Sequence, residues 1–289
     1  MSTPLYLRKR LIFVYVSLMP MLMIIGLFVF YPILGAFMLS LTSGMGTKQR
    51  FVGFAKYRSI FASTEFWNSL GVTGLFIGGV VSITIVLALV LAAILNSEKV
   101  KGKSFFRACL YFPRMTSMVI IALVWQYMLN ERFGIINYLL NLLGLRKISW
   151  LTSSSLALSS LMIIQIWAIV GWTMMLILAN LQGIPRSYYD ASEIDGANAW
   201  QRLIYITIPL LLPVISLAAL ICTMNTFVGS FVLVQVITHG GPRHSTDVFS
   251  YLIYRTAFEY FDLSGANALA LIAMGLLIIV GVFQVKTTR

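Results

Sequence analysis

The sequence predicts an all-α polytopic membrane protein with six transmembrane helices. Hydrophobic residues make up 59% of the 289 residues and charged residues only 10%, whereas soluble domains are nearer half apolar and a quarter charged. Uncharged runs long enough to cross a bilayer recur along the whole chain. We therefore expect a single membrane domain over residues 1–289, and not two soluble domains.

The predicted spans follow from these runs and from their flanking residues. Arg8, Lys9 and Arg10 precede a first run that is too long for the apolar core of a signal peptide. Pro32 is expected to kink or end the outer part of this span. Arg114, in the first turns of the third span, is expected to extend to the membrane interface. The predicted spans are about residues 11–41, 70–95, 106–129, 155–181, 209–237 and 266–283.

Charge and shorter apolar stretches predict the orientation. The basic clusters at 8–10 and 99–107 place those segments in the cytoplasm, so six spans put both termini there. Short helices are expected near 56–61, at the interface over 133–145, and over 250–263. The net charge of +12 fits basic residues on anionic membrane lipid and, without a basic stripe carrying interleaved aromatics, argues against nucleic acid.

Residue types that form disulfides, metal sites and catalytic pairs in other proteins lack the spacing that such sites require in this sequence. Cys109 and Cys222 lie in predicted spans without a pairing motif, and His239 and His244 flank a Gly-Gly-Pro turn without ligand spacing. We predict no disulfide, no metal site and no bound cofactor. A nucleophile–base pair and a phosphate-binding glycine loop are also missing from the sequence, which argues against an enzyme.

An acidic stretch interrupts the apolar chain between the fourth and fifth spans. Asp190, Glu193 and Asp195 are three of the nine acidic residues and lie within six positions. Ser187 is a candidate N-cap for a helix over 188–194. Gly196 then predicts a left-handed turn, followed by a second short helix over 197–208. The stretch 184–208 is thus predicted to be a compact cytoplasmic pair of helices.

Two interpretations fit the acids of this stretch. In the first, Asp190 caps its own helix and Asp195 caps the next one. In the second, the carboxylates bind a basic cleft on a partner protein, where charge-assisted contacts contribute ~1.5–3 kcal/mol each. Both interpretations can hold at once.

The stretch resembles the EAA loop of binding-protein-dependent ABC importer permeases. Asp190, Ala191 and Ser192 occupy the EAA positions, Glu193 follows them, and Asp195, Gly196 and Ala197 match the DGA that comes next. Asp in place of Glu keeps the charge but shortens its reach. Ile206 and Pro209 match the end of the EAA segment. The chain also resembles maltose-type F-like sugar permeases over almost its whole length, at residues 51–57, 112–113, 134–144, 181–185, 238–246, 250–258 and 264–270.

This resemblance implies the type I ABC importer permease fold and a set of partners. It implies a bacterial-type inner membrane, a second homologous permease subunit, an ATPase dimer below the membrane and an extracytoplasmic solute-binding protein. ATP and Mg would bind the partner ATPase. The EAA loop, with Asp190, Glu193 and Gly196 at its centre, would seat in an ATPase cleft as the coupling helix.

Polar residues inside predicted spans are candidates for a carbohydrate pathway, because such residues are costly in lipid. The candidates are Gln165, Trp172, Asn225, Thr226 and Ser230. Amides, hydroxyls and an aromatic face suit a sugar, and the family resemblance places solute contacts in the same two spans. Hydrogen bonding between helices is the alternative explanation for each of them.

The sequence favours an ABC sugar permease over two other functions. An ion-coupled secondary transporter is the alternative, but such proteins carry an acid or a discontinuous site within the membrane. Here every acid lies at or outside the ends of the predicted spans. A membrane enzyme ranks last.

Overall fold

The computed structural model describes residues 5–44, 50–97 and 100–286, and most of these residues are helical. The helices are α1 Leu5–Ile25, α2 Tyr31–Ser40, α3 Ala55–Ala62, α4 Thr64–Asn96, α5 Lys103–Met115, α6 Met118–Met128, α7 Ile135–Leu142, α8 Ala157–Leu181, α9 Arg186–Ile194, α10 Ala199–Arg202, α11 Ile208–Leu233, α12 Phe249–Phe258 and α13 Leu263–Lys286. Turns of π-helix cover Gly26–Phe30, Leu203–Thr207 and Val234–Thr238. Strands β1 Thr42–Ser43 and β2 Arg50–Phe51 form an antiparallel pair.

Five helical stretches of the described residues are long and apolar enough to cross a membrane. They are Phe13–Ser40, Thr64–Asn96, Ala157–Leu181, Ala199–Thr238 and Leu263–Lys286. A sixth exists if α5 and α6 together make one span. The predicted all-α membrane fold is therefore confirmed.

The third predicted span, 106–129, is wrong as a continuous helix. Helices α5 and α6 meet at an angle of 100°. Thr116 and Ser117 at the break have extended backbone, with ψ angles of 143° and 134°. Pro113 leaves no N–H for the preceding turn, which weakens the end of α5. The break turns the end of α5, which carries Arg114, toward α8 and α11.

Two of the π-helical turns directly precede a proline. The residues before Pro32 and Pro209 donate their backbone N–H five residues back, to Gly26 and Leu203. Proline has no backbone N–H to donate, and its ring needs extra space. The wider π-helical turn accommodates both, so the helix continues. The first span therefore does not end at Pro32 but reaches Ser40.

The fifth span begins ten residues earlier than predicted. One helix runs from Ala199 to Thr238 through the π-helical turn, whereas the sequence predicted a span over 209–237 preceded by a separate short helix over 197–208. The wider turn at 203–207 removes the break that Pro209 was expected to cause. The second helix of the acidic stretch is thus the first part of a long spanning helix.

The chain divides into two compact units. The smaller comprises residues before Ser63 together with Ile253–Met274. Polar contacts tie the described part of this unit together: Lys56 Nζ lies 2.6 Å from Asp262 Oδ2, and the hydroxyls of Ser40 and Tyr57 lie 2.8 Å apart. These contacts join α3 to segments that are distant in sequence.

The larger unit, Ser63–Leu252 with the residues from Gly275 onward, is built around α8. Two thirds of the most apolar window of α8 is buried, against about a quarter for α4. At Gly171 the backbone of α5 comes so close that an added Cβ would lie 1.8 Å from Leu110 O. Small residues permit such close approach between helices in a membrane. Helix α8 is therefore the rigid centre against which α4, α5 and α11 pack.

Candidate functional site

The acidic stretch between α8 and α11 folds as a helix, a tight turn and a second helix, which we call the knob (residues 186–207). Gly196 has a φ of +77°, a left-handed conformation that favours glycine. The Ala197 N–H donates to Ser192 O at 2.9 Å, and the Gly196 N–H donates to Glu193 O at 3.1 Å. These two bonds form a Schellman motif that ends α9. The predicted turn at Gly196 is therefore present.

The predicted helix caps of the knob are wrong. Helix α9 begins at Arg186, after Pro185, and Ser187 lies inside it. The second helix is capped by Asn198 and not by Asp195, because Asn198 and Gln201 form a reciprocal capping box with bonds of 2.8 and 2.9 Å. Sequence reasoning looked for an acid in the cap and passed over this amide pair.

The carboxylates of Asp190 and Asp195 are left without a structural task. Both residues are exposed, and among the described residues neither carboxylate makes a hydrogen bond or an ion pair. Capping is thus excluded as the explanation for these two acids. Their charges are available to a basic surface on another protein.

The other residues of the EAA-like positions hold the knob together. Glu193 pairs with Arg202 at 3.2 Å across the turn. Ser192 is buried and donates its hydroxyl to Tyr189 O at 2.7 Å, and the Tyr189 hydroxyl lies 3.0 Å from Thr207 Oγ1. Ala191 is exposed on α9. An exposed ion pair adds at most about 1 kcal/mol, so the buried Ser192 and the half-buried Tyr189 contribute more to the rigidity of the knob.

Large apolar side chains also project from the knob. Ile194 is 88% exposed, Trp200 68% and Tyr205 76%, and Tyr188 is more than half exposed. Exposed apolar groups beside unpaired charges are typical of a protein-binding surface. The sequence analysis missed this surface because only the helix boundaries show which apolar residues face outward.

Two of the five predicted pathway residues come together around a third residue. Arg114 Nη2 donates to Asn225 Oδ1 at 3.3 Å, and the Arg114 guanidinium lies 5.9 Å from the centroid of the Trp172 ring. Asn225 also donates to Ile221 O at 2.9 Å, which fixes its amide. The sequence predicted that Arg114 extends to the membrane interface; in the structure the break after α5 directs its side chain to α8 and α11.

The other three predicted pathway residues lie between helices. Gln165, Thr226 and Ser230 are at most 1% exposed. The amide of Gln165 packs against Gly229, where an added Cβ would lie 2.7 Å from its Oε1. Ser230 donates to Phe227 O at 2.7 Å. In this structure the surroundings of these three residues fit the alternative explanation, contacts between helices, and not an open sugar pathway.

A cavity with a mixed polar and apolar lining lies at the end of the larger unit opposite the knob. Its volume is about 800 Å³, and its lining includes Gln126, Asn130, Glu131, Thr152 and Pro242. Thr152 and Ser149 donate hydroxyl hydrogen bonds of 2.9 Å to the Glu131 carboxylate. These bonds, the Thr152 bond first, lower the pKa of Glu131 below its usual value, with a further contribution from neighbouring cations. The sequence analysis did not single out this cavity.

Buried Asn137 joins the segments beside this cavity. Its side chain donates to Ile148 O at 2.9 Å, and it accepts from Ile148 N at 3.0 Å and from Trp150 Nε1 at 3.2 Å. Since Asn137 is 1% exposed, these bonds are shielded from water and fix the segment around 148–150 against α7. The rim of the cavity is therefore rigid.

Comparison with known proteins is consistent with this arrangement. Residues 84–286 match the family model described as binding-protein-dependent transport system inner membrane component. The trehalose/maltose transport system permease protein MalF of Thermococcus litoralis is 34% identical over 251 residues, covering 86% of this chain and 83% of that protein. The lactose transport system permease protein LacF of Rhizobium radiobacter is 34% identical over 248 residues, covering 83% and 82%.

The fold also matches a solved structure. A chain of a bacterial ABC transporter involved in the import of the acidic polysaccharide alginate superposes with a TM-score of 0.84, at 23% identity, over 97% of this chain and 96% of that chain. At this identity the likeness concerns the fold. It agrees with the fold that the EAA-like residues implied.

Proposed function

The chain belongs to the family of inner membrane components of binding-protein-dependent transport systems, and we propose that it carries an oligosaccharide or a related sugar or polyol into the cytoplasm. Relatives named for trehalose/maltose and lactose transport support a carbohydrate. Within the larger unit, Trp172 and Asn225 offer an aromatic ring and an amide for such a solute.

The knob is proposed to couple this movement to ATP hydrolysis on a partner. Asp190 and Asp195 have no structural task, and Ile194 and Trp200 are exposed beside them. A basic and apolar cleft on an ATPase dimer complements this combination. ATP and Mg bind the partner in this proposal, because the chain has no glycine-rich phosphate loop.

The remaining partners follow from the orientation that we propose. The knob and both termini lie in the cytoplasm, as the basic clusters of the sequence favour. The cavity lined by Glu131 and Thr152 then opens on the outer side, where a solute-binding protein would deliver the sugar. A second, homologous permease subunit completes the pathway, and lipid covers the exposed apolar helices.

One observation carries the coupling proposal: the turn at Gly196 sets the angle between α9 and the long helix that begins at Ala199. Gly196→Pro removes the left-handed turn, since proline is confined to φ near −65°. Gly144→Pro is the matched control, because Gly144 has a φ of +74° and, like Gly196, has open space around it. We expect Gly196→Pro to abolish ATP-driven uptake in proteoliposomes and Gly144→Pro to retain it.

The intact complex provides the direct test. Mass spectrometry of the purified complex should identify an ATPase subunit, a second permease and a bound or transported sugar. Failure of any ATPase to co-purify, together with normal uptake by Gly196→Pro, would overturn the proposal. Uptake that survives ATP depletion but stops with an ionophore would indicate an ion-coupled transporter instead.

A further inference from the structure

An arginine contacts the inner parts of two long apolar helices of this chain. Arg114 is the penultimate residue of α5 and contacts Trp172 and Asn225. Trp172 lies nine residues before the end of α8, and Asn225 lies eight residues before the end of α11. Ionisable residues at such depth are costly in a membrane and indicate a functional position.

The charge of Arg114 has no acidic counterpart nearby. Helices α5, α6, α8 and α11 contain neither Asp nor Glu. The ion pairs formed among residues 5–44, 50–97 and 100–286 do not include Arg114. A guanidinium carries five N–H donors. Among the described residues, the Asn225 side chain accepts one hydrogen bond from Arg114. Most of its hydrogen-bonding capacity is therefore unused.

The surroundings of Arg114 are open to a solute. Arg114 itself is exposed, and Trp172 and Asn225 are half-buried. Lys103 and Arg107 lie eleven and seven residues earlier on α5 and so share its face with Arg114. This face continues the positive charge for about 16 Å along the helix. The Nε atom of Arg107 is buried without a hydrogen-bond partner among the described residues.

We propose that Arg114, with Trp172 and Asn225, binds an anionic group on the transported sugar, either the carboxylate of a uronic acid unit or a phosphate. This inference rests on the proposed sugar transport and narrows its substrate class. The planar guanidinium fits carboxylate and phosphate oxygens in pairs. The indole of Trp172 contacts the apolar C–H groups of the ring, and the amide of Asn225 binds a hydroxyl. Lys103 and Arg107 favour the passage of the same anion along α5.

Matched ligands test the charge requirement directly. Equilibrium dialysis would measure the binding of trigalacturonate, of its carboxyl-reduced neutral trisaccharide and of glucose 6-phosphate to the purified complex in nanodiscs. We expect an anionic probe to bind at least about tenfold more tightly than the neutral trisaccharide, the size of one charge-assisted bond. Preference for trigalacturonate identifies a carboxylate ligand, and preference for glucose 6-phosphate identifies a phosphate ligand.

Variants at Arg114 show whether this residue makes the distinction. Arg114→Gln should remove the preference for the anionic probe, so that the charged and neutral trisaccharides bind with similar affinity, and Arg114→Lys should keep part of the preference. Arg146→Gln is the control, because Arg146 is an exposed residue outside the helices. It removes the same charge away from the site and should bind all three probes as the unmodified protein does.

Three results would overturn the inference. The first is equal binding of charged and neutral probes by the unmodified protein. The second is an equal loss of affinity for charged and neutral probes in Arg114→Gln. The third is loss of the second permease subunit from the complex in Arg114→Gln. The last would mean that an acid of the partner faces Arg114. ATP-driven uptake of neutral sugars without any binding of the anionic probes would refute this inference alone, whereas no ATP-driven uptake of any sugar would refute the proposed function.

Discussion

Gly171 is the position at which one added methyl group tests the packing of α5 against α8. A Cβ there would lie 1.8 Å from Leu110 O and 2.4 Å from the carbonyl carbon of the same residue. Both are backbone atoms and cannot rotate away, so the two helices must separate by roughly 1 Å or more. Overpacking of this kind costs about 1–3 kcal/mol, and more where the backbone must move.

Two other glycines provide matched controls for Gly171→Ala. Gly74 on α4 has no atom within 4 Å of an added Cβ, and at Gly229 on α11 the nearest atoms to the Cβ belong to the side chain of Gln165 and not to backbone. Alanine has a higher helix propensity than glycine by about 1 kcal/mol. We therefore expect Gly74→Ala to be neutral or slightly stabilising, Gly229→Ala to be intermediate and Gly171→Ala to be the most destabilising.

Thermal unfolding of the purified chain in detergent, followed by the loss of helical circular dichroism, measures this order. A second readout is tryptophan fluorescence, because separation of α5 from α8 moves the Arg114 guanidinium away from the Trp172 ring, now 5.9 Å away. The reasoning fails if Gly171→Ala unfolds at the same temperature as Gly74→Ala. It also fails if the order of Gly171→Ala and Gly229→Ala is reversed.

Three further changes test the knob and the cavity lined by Glu131. Asp190→Lys should reduce ATP-driven uptake at least about tenfold. Membrane insertion and the unfolding temperature should stay unchanged, because the Asp190 carboxylate has no partner among the described residues. Loss of insertion would show a structural role. Asn198→Ala removes the capping box and should destabilise the start of the long helix by ~0.5–2 kcal/mol, seen as faster amide exchange over 199–203. The lowered pKa of Glu131 means that its ionised form stabilises the fold at neutral pH, and this contribution is lost as the pH falls below the usual glutamate range and through the lowered pKa. The difference in unfolding temperature between the unmodified protein and Glu131→Gln should therefore shrink between pH 7 and pH 3, and a constant difference would contradict the assignment.

The sequence predicted the features that depend on local patterns. Apolar runs predicted the spans, and the Asp195-Gly196 pair predicted a left-handed turn, because few residues other than glycine adopt that conformation. It could not show that the helix after Gly196 continues past Pro209, since the π-helical turn that permits this depends on the surrounding helices.

The pathway residues were harder to predict, because the side of a helix that faces the core depends on its neighbours. Gln165 and Trp172 lie two helical turns apart on one face of α8, yet Gln165 is 1% exposed and Trp172 is half-buried. The difference arises from Gly229, which lets α11 close over Gln165. Arg114 was placed at the interface because residues 106–129 were read as one continuous span, and Pro113 alone does not indicate a break of 100°.

The knob and the Arg114 site are joined by the same two helices. Helix α8 leads from Trp172 to the start of the knob, and the helix that begins at Ala199 leads from its end to Asn225. A rigid knob held by Ser192 and its neighbours transmits a displacement to both helices at once. Since Trp172 and Asn225 both contact one guanidinium, a separation of these helices lengthens at least one of the two contacts. Under the coupling proposed above, a movement of the knob would therefore release an anion held by Arg114.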